Sequence, residues 1–174
     1  MVWALSGFMG SGKSTVAALL AAREPRCRMI DLDALIREQT GRTVGELFRE
    51  GGEAGFRTAE TAALMDAISS FEGDETLLIA LGGGTLTTPY NRELIRACTR
   101  CIYLRGKVET LAERLQEEQA TRPLLQGEAP LEEKIGKLLA ERRSTYEAAA
   151  DRIVDIDGKS PEELADEIAK LIEF

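Results

Sequence analysis

One glycine-rich segment near the N-terminus, Gly7–Ser14, constrains the fold of this chain more than any other feature. It reads Gly-Phe-Met-Gly-Ser-Gly-Lys-Ser and matches the pattern G-x-x-x-x-G-K-[ST]. The apolar run Val2–Ser6 precedes it, and the Ala/Leu-rich helical pattern Lys13–Ala22 follows it. Glycine lets the backbone N–H groups of such a loop turn toward an anion, and the helix adds the positive end of its dipole. The sequence therefore predicts a strand, a phosphate-binding loop and a helix, in that order.

The residue types in this loop predict how it holds a nucleotide. Lys13 is placed to reach the β- and γ-phosphates, and the Ser14 hydroxyl is placed to join the shell of a Mg²⁺ ion. The alternative is a glycine-rich turn with an incidental lysine. The strand before the loop and the helix after it argue against that alternative.

Short apolar runs alternate with helical patterns along the rest of the chain. The run Thr76–Leu81 has almost no polar residue, as expected for a strand that is covered on both faces. Strands that alternate with helices indicate βαβ units, and hence a parallel sheet wrapped by helices. The predicted strands are Val2–Ser6, Cys27–Ile30, Thr76–Leu81, Cys101–Leu104 and Arg152–Asp155.

The predicted helices are marked by caps and breakers. A helical region from about Leu35 to Phe71 is interrupted near Gly41 and again at Gly51-Gly52. It is longer than one crossover needs, so part of it is expected to form a substrate-binding flap. Helix-start signals, an N-cap with a following proline and a capping box, occur at Thr88-Pro89 and Ser160–Glu163. Other helices are expected at Val108–Glu118 and Pro130–Ala149, with a loop over Gln119–Ala129.

Composition limits the class of protein. A length of 174 residues suits one domain, and 44% apolar with 30% charged residues is typical of a globular chain. The net charge of −8 argues against a nucleic-acid surface. No apolar run approaches the ~20 residues that cross a bilayer. Because the N-terminus leads directly into a strand and has no basic region, we expect no signal peptide and no membrane partner, and a cytoplasmic protein.

Two residue types exclude particular chemistries. The chain has no histidine, which excludes Ser-His-Asp triads and His-ligated zinc. It has three cysteines, an odd number that cannot form a complete disulfide framework. Cys98 and Cys101 form a C-x-x-C, but the pair spans the end of a helix and the start of a strand, where no helix dipole lowers a thiol pKa. We interpret them as ordinary half-buried cysteines.

The position of the acidic residues separates this chain from other nucleotide-binding proteins. Many related proteins hold Mg²⁺ through an Asp at the end of an apolar strand, but the run Leu77–Leu81 ends in Gly82-Gly83-Gly84. Met29-Ile30 ends instead in Asp31, with a second carboxylate at Asp33. There is no N-K-x-D motif for guanine. We expect the metal-side carboxylate on the second strand, and an acceptor close to the glycine triplet.

Taken together in order and spacing, six segments resemble the shikimate kinase family over nearly the whole chain. They are Gly7–Thr15, Asp31-Leu-Asp33, Gly55-Phe-Arg57 with Glu60, Gly82–Gly84, Arg122–Leu125, and Arg142 four residues before Tyr146. Two features depart from the family. Ser144-Thr145 stand where the family usually has a Pro-Leu pair, and the link Arg23–Arg28 is more polar than expected.

The resemblance implies a role for each matching residue. Asp31 contributes to the Mg²⁺ environment with Ser14, directly or through water. Asp33 orients or deprotonates the attacking hydroxyl, and Arg122, on a mobile lid, closes over the transferring group. Arg114 faces the adenine, with the loop Asp157–Pro161 on its other side. The implied ATP contacts are Gly10, Ser11, Gly12, Lys13, Ser14, Thr15, Arg114 and Arg122, and Lys13, Asp33 and Arg122 are the implied catalytic residues.

The resemblance also implies the acceptor site. Arg57 and Arg142 grip a substrate carboxylate, which suits the planar guanidinium fork. Gly83, with Gly82 and Gly84, presents backbone N–H groups to the substrate. Because Arg143 is adjacent to Arg142, the carboxylate could be held by either. Phosphoryl transfer depends on positioning and charge stabilisation, which Lys13, Arg122 and Mg²⁺ would supply.

The implied fold is a three-layer α/β/α sandwich of the nucleoside-monophosphate-kinase type, with five parallel strands in the order 2-3-1-4-5. Residues 1–174 are expected to form one kinase domain, with a substrate-binding flap at about 32–62 and a lid at about 116–127. The implied reaction is the phosphorylation of shikimate at its 3-hydroxyl by ATP, with Mg²⁺ as cofactor. The expected partners are therefore these small molecules alone, and the expected state is a monomer.

Several alternatives remain open from the residues. The enzyme could act on another hydroxy acid such as gluconate, or the chain could be a regulator that binds ATP without turnover. Asp31 and Asp33 could simply cap a helix. Arg57 could pair with Glu53 or Glu60 on a helix surface, and Gly82–Gly84 could be only a turn. Arg122 could be a solvated loop residue.

Overall fold

A computed structural model describes residues 1–116 and 123–172 of the chain. The described residues contain five β-strands, β1 to β5, which span Val2–Ser6, Cys27–Asp31, Thr76–Ala80, Arg100–Arg105 and Arg152–Asp155. They also contain helices α1 to α7, which span Lys13–Arg23, Leu32–Thr40, Val44–Ser69, Pro89–Cys98, Val108–Leu115, Leu131–Ala149 and Pro161–Ile172. Short 3-10 turns lie at Thr85–Thr87 and Pro123–Leu125. All five predicted strands are present, and their ends shift by one residue at most.

The strands form one parallel sheet in the order β2-β3-β1-β4-β5. The predicted order is therefore confirmed. β1 lies at the centre, where all five of its residues are buried, because helices cover both faces of the sheet. On one side α1 packs against α7, and elsewhere α6 packs against α4 and α5. No helix among residues 1–116 and 123–172 is long and apolar enough to cross a membrane.

This topology brings three functional segments to one edge of the sheet. The loop after β1, the residues after β2 and the glycine triplet after β3 all follow the carboxyl ends of neighbouring parallel strands. Ligands of open α/β sheets bind at that edge, where the strand order reverses direction. The order β2-β3-β1-β4-β5 puts such a reversal at β1, directly below the phosphate-binding loop.

The long helical region is divided as the sequence predicts. Gly41 ends α2 in a left-handed conformation, and Gly52 interrupts α3 with φ 62° and ψ −168°. A non-glycine residue rarely adopts these angles, so glycine at position 52 permits a sharp kink there. Phe48 and Phe56 stack across the kink with ring centroids 4.6 Å apart. The N-terminal part of α3 therefore turns away from the rest of the helix.

The helix caps differ in part from the sequence prediction. The capping box at Ser160 is confirmed: the Glu163 N–H donates to Ser160 Oγ (3.1 Å), and the Ser160 N–H donates to Glu163 Oε2 (2.8 Å). A second capping box, Thr43 with Glu46, opens α3. Thr88 is the N-cap of α4, but its side chain makes no capping hydrogen bond. Pro89 stands at the first helical position of α4, and because proline has no N–H it needs no capping partner there.

The cysteines are not the matched half-buried pair that the sequence interpretation suggested. Cys98 is exposed at the end of α4, whereas Cys101 is 1% exposed in β4. All three cysteines are free thiols. Burial raises the pKa of Cys101 to about 11, although the Ser6 hydroxyl lowers it. A thiol with a raised pKa is a poor nucleophile, so the C-x-x-C is not a redox pair.

Candidate active site

The glycine-rich loop wraps around the side chain of Lys13. Gly12 is the N-cap of α1, with φ 90°, and the Ser11 N–H donates to the Phe8 carbonyl (3.1 Å). Lys13 Nζ donates to the carbonyl oxygens of Gly7 and Phe8, each at 3.0 Å, and lies 3.4 Å from Ser11 Oγ. The residue is only 8% exposed. The ammonium group therefore lies at the mouth of the loop, beside the N-terminus of the helix.

A cavity of about 540 Å³, here called the phosphate-loop cavity, opens above this loop. Its walls contain most of the residues predicted to bind the nucleotide and its metal. Ser11 is fully buried within the loop itself. The predicted residues that line the cavity are Gly10, Gly12, Lys13, Ser14, Thr15, Asp31, Asp33, Gly82, Gly83 and Arg114.

The two predicted metal-side residues are in direct contact. The Ser14 hydroxyl, in the first turn of α1, donates a hydrogen bond to Asp31 Oδ2. Asp31 Oδ1 accepts the N–H of Ala34 at 2.9 Å and so caps α2. The helix-cap alternative is thus correct for Asp31, but it occupies one oxygen and leaves the other facing Ser14.

This pair of oxygen ligands fits Mg²⁺. Within the described residues there is no group of three or more His, Cys, Asp or Glu side chains that could hold a metal. Mg²⁺ usually takes one or two carboxylates, keeps several waters and binds substrate phosphates. A hydroxyl and a carboxylate beside a phosphate-binding loop match that preference, so Ser14 and Asp31 would hold the ion.

Arg114 lines the phosphate-loop cavity beside the glycine-rich loop. Its Nη1 is 3.5 Å from the Gly10 carbonyl, and its Nη2 donates to the Lys159 carbonyl at 3.3 Å. Pro161, at the start of α7, lines the same cavity. Asp157 lies in the loop between β5 and α7, and its carboxylate accepts the Lys107 N–H (3.0 Å) and the Thr110 hydroxyl (2.6 Å). Arg114 and the segment 157–161 are therefore neighbours at this cavity. That they lie on two sides of an adenine stays a prediction.

A second cavity of about 220 Å³, here called the arginine cavity, adjoins the first. Four residues line both cavities: Met9, Asp33, Gly82 and Gly83. Two arginines, Arg57 and Arg142, also line the arginine cavity. Its apolar walls come mainly from the flap region and from Leu124: Val44, Gly45, Phe48, Phe56 and Leu124. A ligand in this cavity would lie next to one in the phosphate-loop cavity.

Arg57 is held by acidic side chains of its own helix. Its Nη1 pairs with Glu60 Oε2 at 2.7 Å and its Nη2 with Glu53 Oε1 at 3.5 Å. Glu60 is 1% exposed and also accepts the Thr85 hydroxyl at 2.7 Å. The pairing proposed as an alternative is therefore present with both glutamates. It does not move Arg57 to the surface, because its side chain is only 16% exposed and lines the cavity.

The other arginine approaches the glycine triplet from α6. Arg142 is 9% exposed and its Nη1 donates to the Gly83 carbonyl at 3.2 Å. Arg143 is exposed and does not line the cavity. Of the two neighbouring arginines, the structure thus places Arg142 at the candidate site. Gly83 uses its carbonyl oxygen in this contact, whereas the sequence prediction concerned its N–H.

The glycine triplet is both a turn and a cavity wall. The Thr85 N–H donates to the Gly82 carbonyl (3.1 Å) and the Thr87 N–H to the Gly84 carbonyl (2.9 Å), which forms the 3-10 turn. A Cβ on Gly84 would lie 2.5 Å from Arg57 Nη2. Only a residue without a side chain lets the guanidinium pack this closely on the turn.

The structure adds buried polar residues that sequence patterns did not select. Asn91 is fully buried, donates from Nδ2 to the Thr85 carbonyl (3.1 Å) and accepts the Thr61 hydroxyl (2.8 Å). With Glu60 and Thr85 it supports the turn beside Arg57. In the sequence, a polar residue such as asparagine within a helix is expected at the surface, so no local signal predicts that Asn91 is buried. The sequence does single out Glu60, through its spacing of three residues from Arg57 and its place in the family segment with Gly55-Phe-Arg57.

Arg122 lies outside the described residues, and so does much of the expected lid. The C-terminal end of the expected lid lies within the described residues. There, Lys134 Nζ donates to the carbonyls of Leu125 (3.0 Å) and Gly127 (2.6 Å). Leu125 is fully buried. The end of this segment is therefore attached to α6, the helix that carries Arg142.

A parallel sheet with a lysine-containing phosphate loop, a hydroxyl–carboxylate pair beside that loop and an adjoining cavity lined by arginines is typical of P-loop kinases for small molecules. The family model for shikimate kinase matches residues 9–173. The chain belongs to the shikimate kinase family.

Individual relatives agree with this assignment over nearly their full length. A shikimate kinase of Chlorobium chlorochromatii is 40% identical over 97% of this chain and 89% of its own. One from Geobacter metallireducens is 40% identical over 97% of this chain and 90% of its own. Among solved structures, shikimate kinase from Acinetobacter baumannii in complex with shikimate superposes with a TM-score of 0.89. It is 35% identical and the match covers 99% of this chain and 92% of that one.

Proposed function

We propose that this chain transfers the γ-phosphoryl group of ATP to the 3-hydroxyl of shikimate, which yields shikimate 3-phosphate and ADP. The observation that carries the proposal is the wall shared by the two cavities. Asp33, Gly82 and Gly83 line both the phosphate-loop cavity and the arginine cavity. A nucleotide phosphate on one side and an acceptor hydroxyl on the other would meet at this wall, as in-line transfer requires.

The charge pattern of the arginine cavity favours an acceptor with a carboxylate. Arg57 and Arg142 line it in a chain whose net charge is −8, so positive charge is concentrated there against an acidic background. A guanidinium fork binds a planar carboxylate well. The phenylalanines Phe48 and Phe56 offer an apolar surface to a carbon ring. A small hydroxy acid with a ring, such as shikimate, has a carboxylate for the arginines and a carbon ring for the phenylalanines.

The catalytic residues of the proposal act by position and charge. Lys13 would shift its Nζ from the loop carbonyls to the phosphates, where it neutralises developing charge. Asp33 would accept a hydrogen bond from the attacking hydroxyl and orient or deprotonate it. Mg²⁺ held by Ser14 and Asp31 would neutralise phosphate charge. Arg122, which lies outside the described residues, would close over the transferring group, and Arg114 would face the adenine.

The rest of the proposal concerns partners and location. We propose a monomer that acts on ATP and shikimate alone, with no nucleic acid or membrane partner, in the cytoplasm. The net charge of −8 supports the absence of a nucleic-acid surface. Three free thiols suit a reducing compartment. The flap at about 32–62 and the lid at about 116–127 remain predictions.

A coupled ADP-release assay over three acceptors tests this function. Purified protein with MgATP is supplied in turn with shikimate, gluconate and a nucleoside monophosphate. We expect turnover with shikimate and none above background with the others. Turnover with gluconate would support the hydroxy-acid alternative. ATP binding without turnover on any acceptor, in folded protein, would support a regulator instead.

A further inference from the structure

The hydroxyl of Tyr146 lies at the junction between α6 and the glycine triplet. It donates to the Gly83 carbonyl at 2.5 Å, a contact between residues 63 positions apart. Tyr146 is 1% exposed, and its ring lies 5.1 Å from that of Tyr103, between centroids. This packing fixes the ring, so the hydroxyl has little freedom to leave its acceptor.

The same carbonyl also accepts a hydrogen bond from Arg142. Tyr146 and Arg142 stand one turn apart on α6, and both reach Gly83, at 2.5 Å and 3.2 Å. At the next residue of the triplet, the Arg57 guanidinium packs against Gly84. The glycine turn therefore contacts both arginines, Arg142 at Gly83 and Arg57 at Gly84.

Because a peptide unit is planar, the position of the Gly83 carbonyl determines the orientation of the backbone in this turn. The carbonyl of Gly83 and the N–H of Gly84 belong to one rigid, planar peptide unit. Fixing the carbonyl fixes the plane, and with it the backbone against which Arg57 packs. A glycine-rich turn has more conformational freedom than other backbone, so a hydrogen bond to its carbonyl restricts it more than it would restrict other backbone.

The charge state of Tyr146 suits a permanent donor. Burial raises the pKa of its phenol to about 12, and this effect outweighs the lowering by Arg142 and Arg57. The hydroxyl thus keeps its proton throughout the neutral range.

We propose that Tyr146 is a positioning residue for acceptor binding: its hydroxyl holds the Gly83 carbonyl so that Arg57 and Arg142 stand at the separation one carboxylate requires. This inference rests on the proposed function, in which both arginines hold the carboxylate of shikimate. Tyr146 need not touch the substrate, because it acts through the turn.

The test is the steady-state kinetics of Tyr146→Phe, which removes the hydroxyl and keeps the ring. We expect the KM for shikimate to rise about fivefold to tenfold, the effect of one lost buried hydrogen bond. The KM for ATP and kcat should stay within about twofold to threefold of wild type, because ground-state binding of the acceptor is what changes. A merely structural effect would lower the active fraction and leave both KM values unchanged.

Tyr103→Phe is the matched control. It also removes a phenol hydroxyl from a buried ring, one that packs against Tyr146, but its charged neighbours are Arg143, Glu147, Arg105 and Asp155, none of which lines the arginine cavity. We expect its KM for shikimate to match wild type. An unchanged KM in Tyr146→Phe, or an equal rise in both variants, would overturn the inference.

A double-mutant cycle with Arg142→Lys adds a second criterion. If Tyr146 acts through the geometry of the clamp, the two changes should not be additive, since the hydroxyl has less to position once the guanidinium is gone. Strict additivity in shikimate affinity would contradict the inference. A wild-type protein without shikimate-dependent turnover would instead overturn the proposed function, and this inference with it.

Wild-type protein decides the question if Tyr146→Phe does not fold. The chain has three tyrosines, so 3-fluorotyrosine labelling gives three ¹⁹F resonances, which Tyr90→Phe and Tyr103→Phe assign. Shikimate should shift the Tyr146 resonance and leave that of exposed Tyr90 in place. A Tyr146 resonance that does not respond at saturating shikimate would overturn the proposal.

Discussion

At the scale of single residues, Asp31 has two functions that a substitution can separate. Oδ1 caps α2 by accepting the Ala34 N–H, and Oδ2 accepts the Ser14 hydroxyl. Asparagine is as good an N-cap as aspartate, but it carries no negative charge for a metal ion. The helix cap and the proposed metal site therefore depend on different properties of the same side chain.

We expect Asp31→Asn to keep stability and lose activity. The free energy of unfolding should stay within about 0.5 kcal/mol of wild type, while Asp31→Ala should lose about 1 kcal/mol through the missing cap. Both variants should need more Mg²⁺ for turnover. Urea unfolding and initial rates over a Mg²⁺ titration measure the two effects. A wild-type Mg²⁺ dependence in Asp31→Asn would remove Asp31 from the proposed metal site.

Lys13→Met should abolish most turnover without unfolding the protein. Methionine keeps much of the apolar stem of this buried residue but supplies no charge to the phosphates. We expect kcat to fall at least about a hundredfold, as for loss of one charge-stabilising donor. Rates under saturating substrates, with circular dichroism as the folding control, are the measurement. A kcat close to wild type would refute the proposed role.

At the scale of elements, close backbone approaches explain why particular glycines stand in the turns. A Cβ on Gly84 would lie 2.5 Å from the end of the Arg57 side chain, which can move. A Cβ on Gly7 would lie 2.7 Å from the Leu104 carbonyl, part of β4, and Gly7 has φ 145°. The first contact involves a side chain of the proposed binding site, and the second involves the backbone of the sheet.

Alanine at these two glycines should therefore have different effects. Gly84→Ala should displace the Arg57 guanidinium and raise the KM for shikimate about tenfold or more, with little loss of stability. Gly7→Ala should destabilise the fold by about 1–3 kcal/mol, because neither β4 nor the loop can yield easily. Thermal melts and shikimate kinetics measure both.

Gly136→Ala in α6 provides the control for this pair. A Cβ there would meet Val108 Cγ2 at 3.9 Å, an ordinary van der Waals contact. Alanine also suits a helix interior better than glycine, so stability should rise by up to about 1 kcal/mol with unchanged kinetics. If Gly84→Ala keeps the wild-type KM, the packing of Arg57 on the turn is not important for binding.

At the scale of the whole molecule, burial of Cys101 makes stability depend on alkaline pH. Its thiol pKa is about 11 in the folded protein against 9.0 as the ordinary value. Below pH 9 both states keep the proton, so the stabilising contribution is fully present. Between pH 9 and 11 the unfolded chain releases the proton while the fold retains it, and the contribution is lost.

We expect Cys101→Ala to reduce this pH dependence without removing it, because burial also raises the pKa of Cys27 to about 11. The free energy of unfolding of wild type should fall by about 2–3 kcal/mol more between pH 9 and 11 than that of the variant. Urea unfolding at several pH values measures the difference. The exposed Cys98 supplies the control, since Cys98→Ala should follow the wild-type curve. Parallel curves for wild type and Cys101→Ala would contradict the assigned burial effect.

Much of the framework could be predicted because its signals are local. The loop Gly7–Ser14 specifies its own backbone through glycines at fixed positions, and it lies between β1 and α1 as expected. Gly41 and Gly52 end or bend helices through their own φ and ψ angles. Side-chain caps were predicted less well than the loop and the helix breaks. Ser160 behaves as predicted, whereas Thr88 makes no side-chain capping bond.

The sequence by itself thus determined the phosphate loop and the order of strands and helices along the chain, because these depend on residues close together. It also indicated the family, through the order and spacing of six short segments. The tertiary structure decided that Arg142 and not Arg143 lines the arginine cavity, and that Cys98 and Cys101 differ in burial. It also decided that Tyr146 holds the Gly83 carbonyl, 63 residues away. Which neighbour on a helix faces a cavity depends on how the helix packs against the sheet, and that packing is set by contacts distant in sequence.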